Sequence, residues 1–137
     1  MNKDVQKFYD NPEIIHSPSG RLLRIMSEYL GPQDLFRKNK IQDTVVFFGS
    51  ARTQPKDIAT EAIEKAKANG SSVEKLELLK RDLDMSRYYE DARELAFKMT
   101  NWSKKLKQGK RRFIVATGGG PGIMEAANRG AAEAKGL

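Results

Sequence analysis

Two short runs of apolar, largely β-branched or aromatic residues stand out against a chain otherwise patterned for helix: Thr44-Val-Val-Phe-Phe48 and Arg112-Phe-Ile-Val-Ala116. Runs of this length that lead into glycine turns predict strands. The first is apolar on both faces, which predicts a strand covered on both sides. Apolar residues elsewhere recur every three or four positions. Leu22, Leu23, Ile25, Met26, Tyr29 and Leu30 predict a helix from about Ser19 to Leu30, stopped by Gly31-Pro32. Residues 33 to 43 read as a charged connector, and residues 1 to 18 as an arm with turn signals at Asn11-Pro12 and Ser17-Pro18.

A helix is expected after Pro55, with Asp57 and Glu61 early, Lys65 and Lys67 late, and Asn69-Gly70 as its stop. Ser71-Ser-Val-Glu74 has the form of a capping box, opening a helix with Val73, Leu76, Leu79 and Leu83 on one side. A longer helix is expected from about Ser86 to Lys107. Tyr88, Tyr89, Ala92, Leu95, Ala96, Met99, Trp102 and Leu106 form its core stripe, and Gly109 follows it. The last helix spans about 121 to 135, with Pro121 in its first turn and a face of Ala126, Ala127, Gly130, Ala131 and Ala134. So small a face lets a helix lie close to its neighbours.

Strand, helices, strand, helix predicts an α/β fold with a parallel sheet. Residues 1–43 are expected to form an N-terminal arm and helix, residues 44–137 half of an α/β domain, and the helical pieces at 56–84 an insertion. Two strands do not make a stable doubly wound sheet, so the sheet is expected to be incomplete within these residues.

Composition removes several chemistries. The 137 residues contain no cysteine and a single histidine, His16, so disulfides, thiolate catalysis and a zinc site are disfavoured. No cofactor or metal is expected. No window reaches the ~20 apolar residues of a membrane span, and no secretory h-region opens the chain, so a cytoplasmic setting is expected. The formal charge of +7 is concentrated at Arg37-Lys38-Asn39-Lys40 and between Lys104 and Arg112. No aromatic interleaving accompanies these clusters. They read as solvated, dipole-complementing helix ends rather than a nucleic-acid surface.

The candidate chemistry lies where strands end. Gly118-Gly-Gly-Pro-Gly122 follows the second strand and opens a helix, so unsubstituted backbone amides and a positive dipole end meet at one place. That is a phosphate site. The dinucleotide fingerprint is missing its third glycine: Ile123 or Glu125 stands there, depending on the start. A Walker A loop is excluded because no Gly-Lys-Ser/Thr follows. Gly49-Ser50-Ala51-Arg52 ends the first strand, where Ser50 can donate to an oxygen and Arg52 can clamp a phosphate. Glu125 favours the helix dipole and, if functional, faces ribose hydroxyls or a base edge, with Asn128 one turn on. No nucleophile or acid–base pair is legible.

Val45-Val-Phe-Phe-Gly-Ser-Ala-Arg52 together with Thr117-Gly-Gly-Gly-Pro-Gly-Ile-Met-Glu-Ala-Ala-Asn-Arg-Gly130 resembles the LOG family, and its longer bacterial branch in particular. The resemblance covers about residues 17–137. It implies a Rossmann-like fold and a phosphoribohydrolase that cleaves nucleoside 5′-monophosphates such as AMP to base and ribose 5-phosphate. It implies that Gly49, Ser50, Arg52, Gly118, Gly119, Gly120, Gly122, Ile123, Met124 and Glu125 line the nucleotide site, and that the protein is a homodimer or larger homo-oligomer. The family's second signature, Pro-Gly-Gly-x-Gly-Thr-x-x-Glu, and its downstream Arg-Lys pair do not occur in these residues. By the resemblance those elements carry the catalysis, so the chain reads as an amino-terminal half, inactive alone. A rival expectation is a non-catalytic nucleotide-binding or sensing module. The lysine decarboxylase label once attached to such proteins is disfavoured, because no pyridoxal-binding lysine context is visible.

Overall fold

The computed structural model describes residues 7–106 and 109–136. Residues 1–6 of the expected arm, and the expected helix end at Lys107, lie outside the described residues. The chain divides into two units, one up to Lys40 and one from Ile41.

In the first unit the arm is locally ordered. A 3-10 turn at Phe8–Asp10 precedes helix α1 (Pro12–His16), which Asn11 caps by accepting from the Glu13 amide at 3.0 Å. A second 3-10 turn, Pro18–Gly20, leads into α2 (Arg21–Lys38). Gly20 is buried there because a Cβ would lie 2.2 Å from the Ile15 carbonyl. Arg24 ties the same corner by donating to the carbonyls of Ile15 and Ser17. The expected stop at Gly31-Pro32 is not one: α2 runs through Pro32 to Lys38, replacing most of the charged connector. Proline deletes one bond, to the Glu28 carbonyl, and Glu28 is exposed, where losing that bond costs less than in a buried helix. The apolar residues of α2, Leu22 to Leu30, are all exposed.

The second unit is built on two paired strands. β1 (Thr44–Phe47) runs parallel to β2 (Ile114–Thr117), with Thr44 opposite Ile114 and Phe47 opposite Thr117. β2 begins two residues later than expected. Phe113, just before it, adopts φ 52°, and its amide donates to Asp43 at 2.6 Å. Asp43 also accepts two bonds from Arg112, which fixes the entry of both strands. The strand expected to be covered on both sides is not: Val46 and Phe48, on one face, are 67% and 84% exposed.

Between the strands lie α3 (Lys56–Ala68) and α4 (Val73–Ser103). The two helices expected over 71–107 are one, unbroken through Asp84 to Ser86. The Ser86 hydroxyl bonds back to the Leu83 carbonyl within the helix and does not cap a new one. Ser72, not Ser71, caps α4, so Glu74 does not occupy the third helical position that a capping box needs.

The last helix, α5 (Ile123–Glu133), packs on α4 through small residues. Its Ala126, Ala127, Gly130 and Ala131 are buried, and Tyr89 of α4 reaches across to Glu125 and Arg129. A Cβ at Gly130 would lie 2.0 Å from the Arg93 carbonyl, so the two backbones nearly touch. This corrects the expected core stripe of α4. Tyr89 and Ala96 are buried, but Tyr88, Leu95 and Trp102 face out, because the close crossing accepts only small side chains and one tyrosine. The fold is therefore mixed α/β, mostly helical, with a two-stranded parallel sheet among the described residues.

Candidate functional site

Strand pairing sets the turns after β1 and β2 side by side, and glycines allow them to touch. Gly122 caps α5 with φ 73° and ψ −127°, a conformation essentially reserved for glycine. Any Cβ there would lie 2.1 Å from the Ser50 carbonyl. That carbonyl accepts from the Ile123 amide at 3.1 Å. Gly49 meets the Ile123 side chain in the same way, at 2.9 Å from its would-be Cβ. The turn after the first strand is thus bonded to the first residue of the last helix.

The glycine loop is held at its two ends. The Thr117 hydroxyl accepts from the Gly119 amide at 3.0 Å and donates to Asn128 Oδ1 at 3.1 Å. Asn128, one turn on from Glu125, therefore braces the loop. Gly119 has φ 74° and open space around it, whereas Gly118 and Gly120 lie over the Met124 side chain. Pro121 stands outside α5, since the positive φ of Gly122 delays the helix to Ile123. Not every amide at this helix start is bare, as the sequence had suggested: Ile123 donates to Ser50 and Ala126 to Gly122. Among the described residues, the amides of Gly120, Gly122, Met124 and Glu125 have no protein acceptor.

Charge is distributed unevenly around this point. Ser50 accepts from the Arg52 amide at 3.2 Å and is exposed, and the Arg52 side chain is exposed with no carboxylate partner among the described residues. Glu125 is tied sideways. The hydroxyl of the fully buried Tyr89 donates to its Oε1 at 3.1 Å and accepts from Arg129 at 3.1 Å. Arg129 itself stands 3.8 Å from Glu125. Burial pushes the Tyr89 phenol above its ordinary value, and the bond to Tyr89 raises Arg129. A neutral phenol and a full guanidinium thus flank the carboxylate.

Sequence reasoning brought together the two loops and the first turn of α5, but it missed Tyr89, Arg129 and Thr117. Arg129 was detectable, four residues beyond Glu125 on one helix face. Nothing distinguished Tyr89 from its neighbour Tyr88. Two other features lie apart from the loops. A cavity of about 370 Å³, lined by residues including Lys104, Arg111, Phe113, Ile114, Ala131 and Lys135, opens at the other end of the strands. The lysine cluster contributes there by capping: Lys104 donates to the Ala134 carbonyl at the end of α5. Among the described residues no group of three or more acidic or histidine side chains could hold a metal, and no helix is long and apolar enough to cross a membrane. The chain matches no protein-family model, no curated protein and no solved structure.

Proposed function

We propose that these residues carry the phosphate-binding half of a nucleoside 5′-monophosphate site on a Rossmann-like scaffold, of the kind used by LOG-type phosphoribohydrolases. One observation carries the reading: Gly122 rests on the Ser50 carbonyl, so two sequence-distant loops converge on the start of α5. Free amides of the glycine loop and of the first helical turn take the phosphate oxygens. Arg52 supplies a mobile counter-charge and Ser50 a hydroxyl. Glu125, steadied by Tyr89, takes the ribose hydroxyls, since a carboxylate aimed at the phosphate would repel it.

Hydrolysis of the N-glycosidic bond needs negative charge beside the anomeric carbon and a positioned water. Among the described residues no group is identified for either task, and the second glycine motif that the resemblance assigns to them is not in the sequence. The chain by itself therefore binds AMP without releasing ribose 5-phosphate. The restraint of Glu125 by Tyr89 and Arg129 also favours the second reading, a nucleotide-binding or sensing module.

Calorimetry with AMP, on the protein and on Gly120→Asp, tests the binding. The new Cβ would meet only the flexible Cε of Met124, at 2.6 Å, so the fold accommodates it while a carboxylate enters the loop. AMP affinity is expected to fall about tenfold or more. Unchanged affinity removes the glycine loop from the site. Reading the coding sequence past Leu137 separates the two versions: a downstream Pro-Gly-Gly-x-Gly-Thr-x-x-Glu makes the protein a hydrolase, and its absence a binding module.

A further inference from the structure

The cavity at the end of the strands away from the glycine loops is built unlike a solvated helix end. It measures about 370 Å³, within the ~300–1,000 Å³ of small-ligand pockets. Phe113 and Ile114, where β2 begins, and Ala131 of α5 give it apolar walls. The Phe113 ring packs in turn on Trp102, with 5.0 Å between ring centroids. Thr100 of α4 also lines the cavity. It is buried, and its hydroxyl has no hydrogen-bond partner among the described residues.

Lys104, Lys110, Arg111 and Lys135 stand around the mouth, all exposed, and no acidic side chain lines the cavity among the described residues. None of the four has a carboxylate partner among those residues. The carboxyl ends of α4 and α5 oppose them, since both helices finish here and each presents about half a negative charge. Lys104 answers the end of α5 by donating to the Ala134 carbonyl at 2.9 Å. Four full charges against two halves leave a surplus of about three. The basic cluster therefore exceeds what the helix ends require. We infer that the cavity binds a small organic anion, an apolar body carrying one carboxylate. The body takes the walls of Phe113, Ile114 and Ala131, and the negative group stays at the mouth. A carboxylate suits that place because the Arg111 guanidinium offers a planar pair of donors and the lysines add point charge. The site is separate from the proposed nucleotide site, which lies beyond the other end of β2, about 13 Å of strand away.

Cyclohexanebutyrate is the probe, titrated into the full chain at fixed ionic strength. Trp102, the single tryptophan, reports binding, because its ring packs on the Phe113 wall and the probe is transparent in the near ultraviolet. A saturable fluorescence change is expected, with a Kd of about millimolar or tighter. Uncharged cyclohexanebutanol binds about tenfold more weakly. Arg111→Gln with Lys135→Gln weakens the carboxylate about fivefold or more. Lys80→Gln with Arg81→Gln removes the same charge about 30 Å along α4 from Thr100 and leaves the affinity unchanged. All four positions are exposed, and circular dichroism verifies that each variant keeps its helices. AMP does not displace the probe, so this site and the nucleotide site can fail independently. No saturation, equal binding of the alcohol, or equal effects of the two double variants overturns the inference. Displacement by AMP overturns it by placing the probe at the loops. Displacement by inorganic phosphate at the probe's own concentration does so by showing that the mouth takes bare anions and the walls add nothing.

Discussion

Replacing Gly122 with alanine tests whether the two loops are locked together. Gly122 has φ 73° and ψ −127°, and its substituted Cβ would lie 2.1 Å from the Ser50 oxygen and 2.9 Å from the Ala51 Cα. An L-residue at positive φ costs about 1–2 kcal/mol. Forcing a methyl group against rigid backbone costs about 1–3 kcal/mol more. Separating the loops also removes the 3.1 Å bond from Ile123 to Ser50, worth about 1 kcal/mol. The expected loss is therefore about 3–6 kcal/mol. Gly119 is the control. It has φ 74° but nothing within 4 Å of a built Cβ, so alanine there incurs the conformational term alone. Urea unfolding, followed by fluorescence of Trp102, measures both variants, because the chain's single tryptophan lies in the same unit. The midpoint of Gly122→Ala should fall well below that of Gly119→Ala. Equal losses at the two positions would refute the contact between the loops, as would a Gly122→Ala protein as stable as the wild type.

Two further outcomes follow from the charged and buried groups. Asp43 is held below its ordinary value by the side-chain bonds from Arg112 first and by the Phe113 amide second. A carboxylate lowered in this way stabilises the fold above its unfolded pKa of about 3.9, and that contribution disappears as pH falls through the lower folded value. Asp43→Asn should be less stable at neutral pH and lose less on acidification through that window. Parallel stability–pH curves for the two proteins would show that the pair does nothing. Tyr89→Phe removes the hydroxyl that joins Glu125 to Arg129, and both partners can rehydrate, so the loss should stay near 1 kcal/mol in thermal melts. An ultraviolet titration should show that the variant has lost a tyrosine that ionises above the ordinary phenol value.

What the sequence disclosed, and what it hid, follows from how local each cause is. The turn after β2 was legible because its reason lies in adjacent residues: an apolar run, glycines, then alanines. The end of α3 was legible because Gly70, at φ 62°, is the residue an αL stop requires. Pro32 misled because its penalty there is small, and only the exposure of the helix tells so. The join at Asp84 to Ser86 was hidden because both halves of α4 share a helical period, and no glycine or proline separates them. Which apolar residues of α4 turn inward depended on the close approach at Gly130, a residue of another helix. Glu125 was found but its partner was not, since a tyrosine beside another tyrosine carries no sign of which one turns inward.

The small-residue crossing of α4 and α5 has a thermal consequence. Most of the buried apolar side chains are alanines, and Tyr89 is the one large side chain fully enclosed among the described residues. Unfolding such an interface exposes little hydrocarbon to water. The heat-capacity increment should therefore fall below the usual ~12–15 cal/mol/K per residue. A small increment flattens the stability curve: the protein gains little on cooling, and its cold transition recedes far below freezing. Its hold on the folded state would come from the closeness of two backbones, a grip that changes slowly with temperature and abruptly with the addition of a single methyl group.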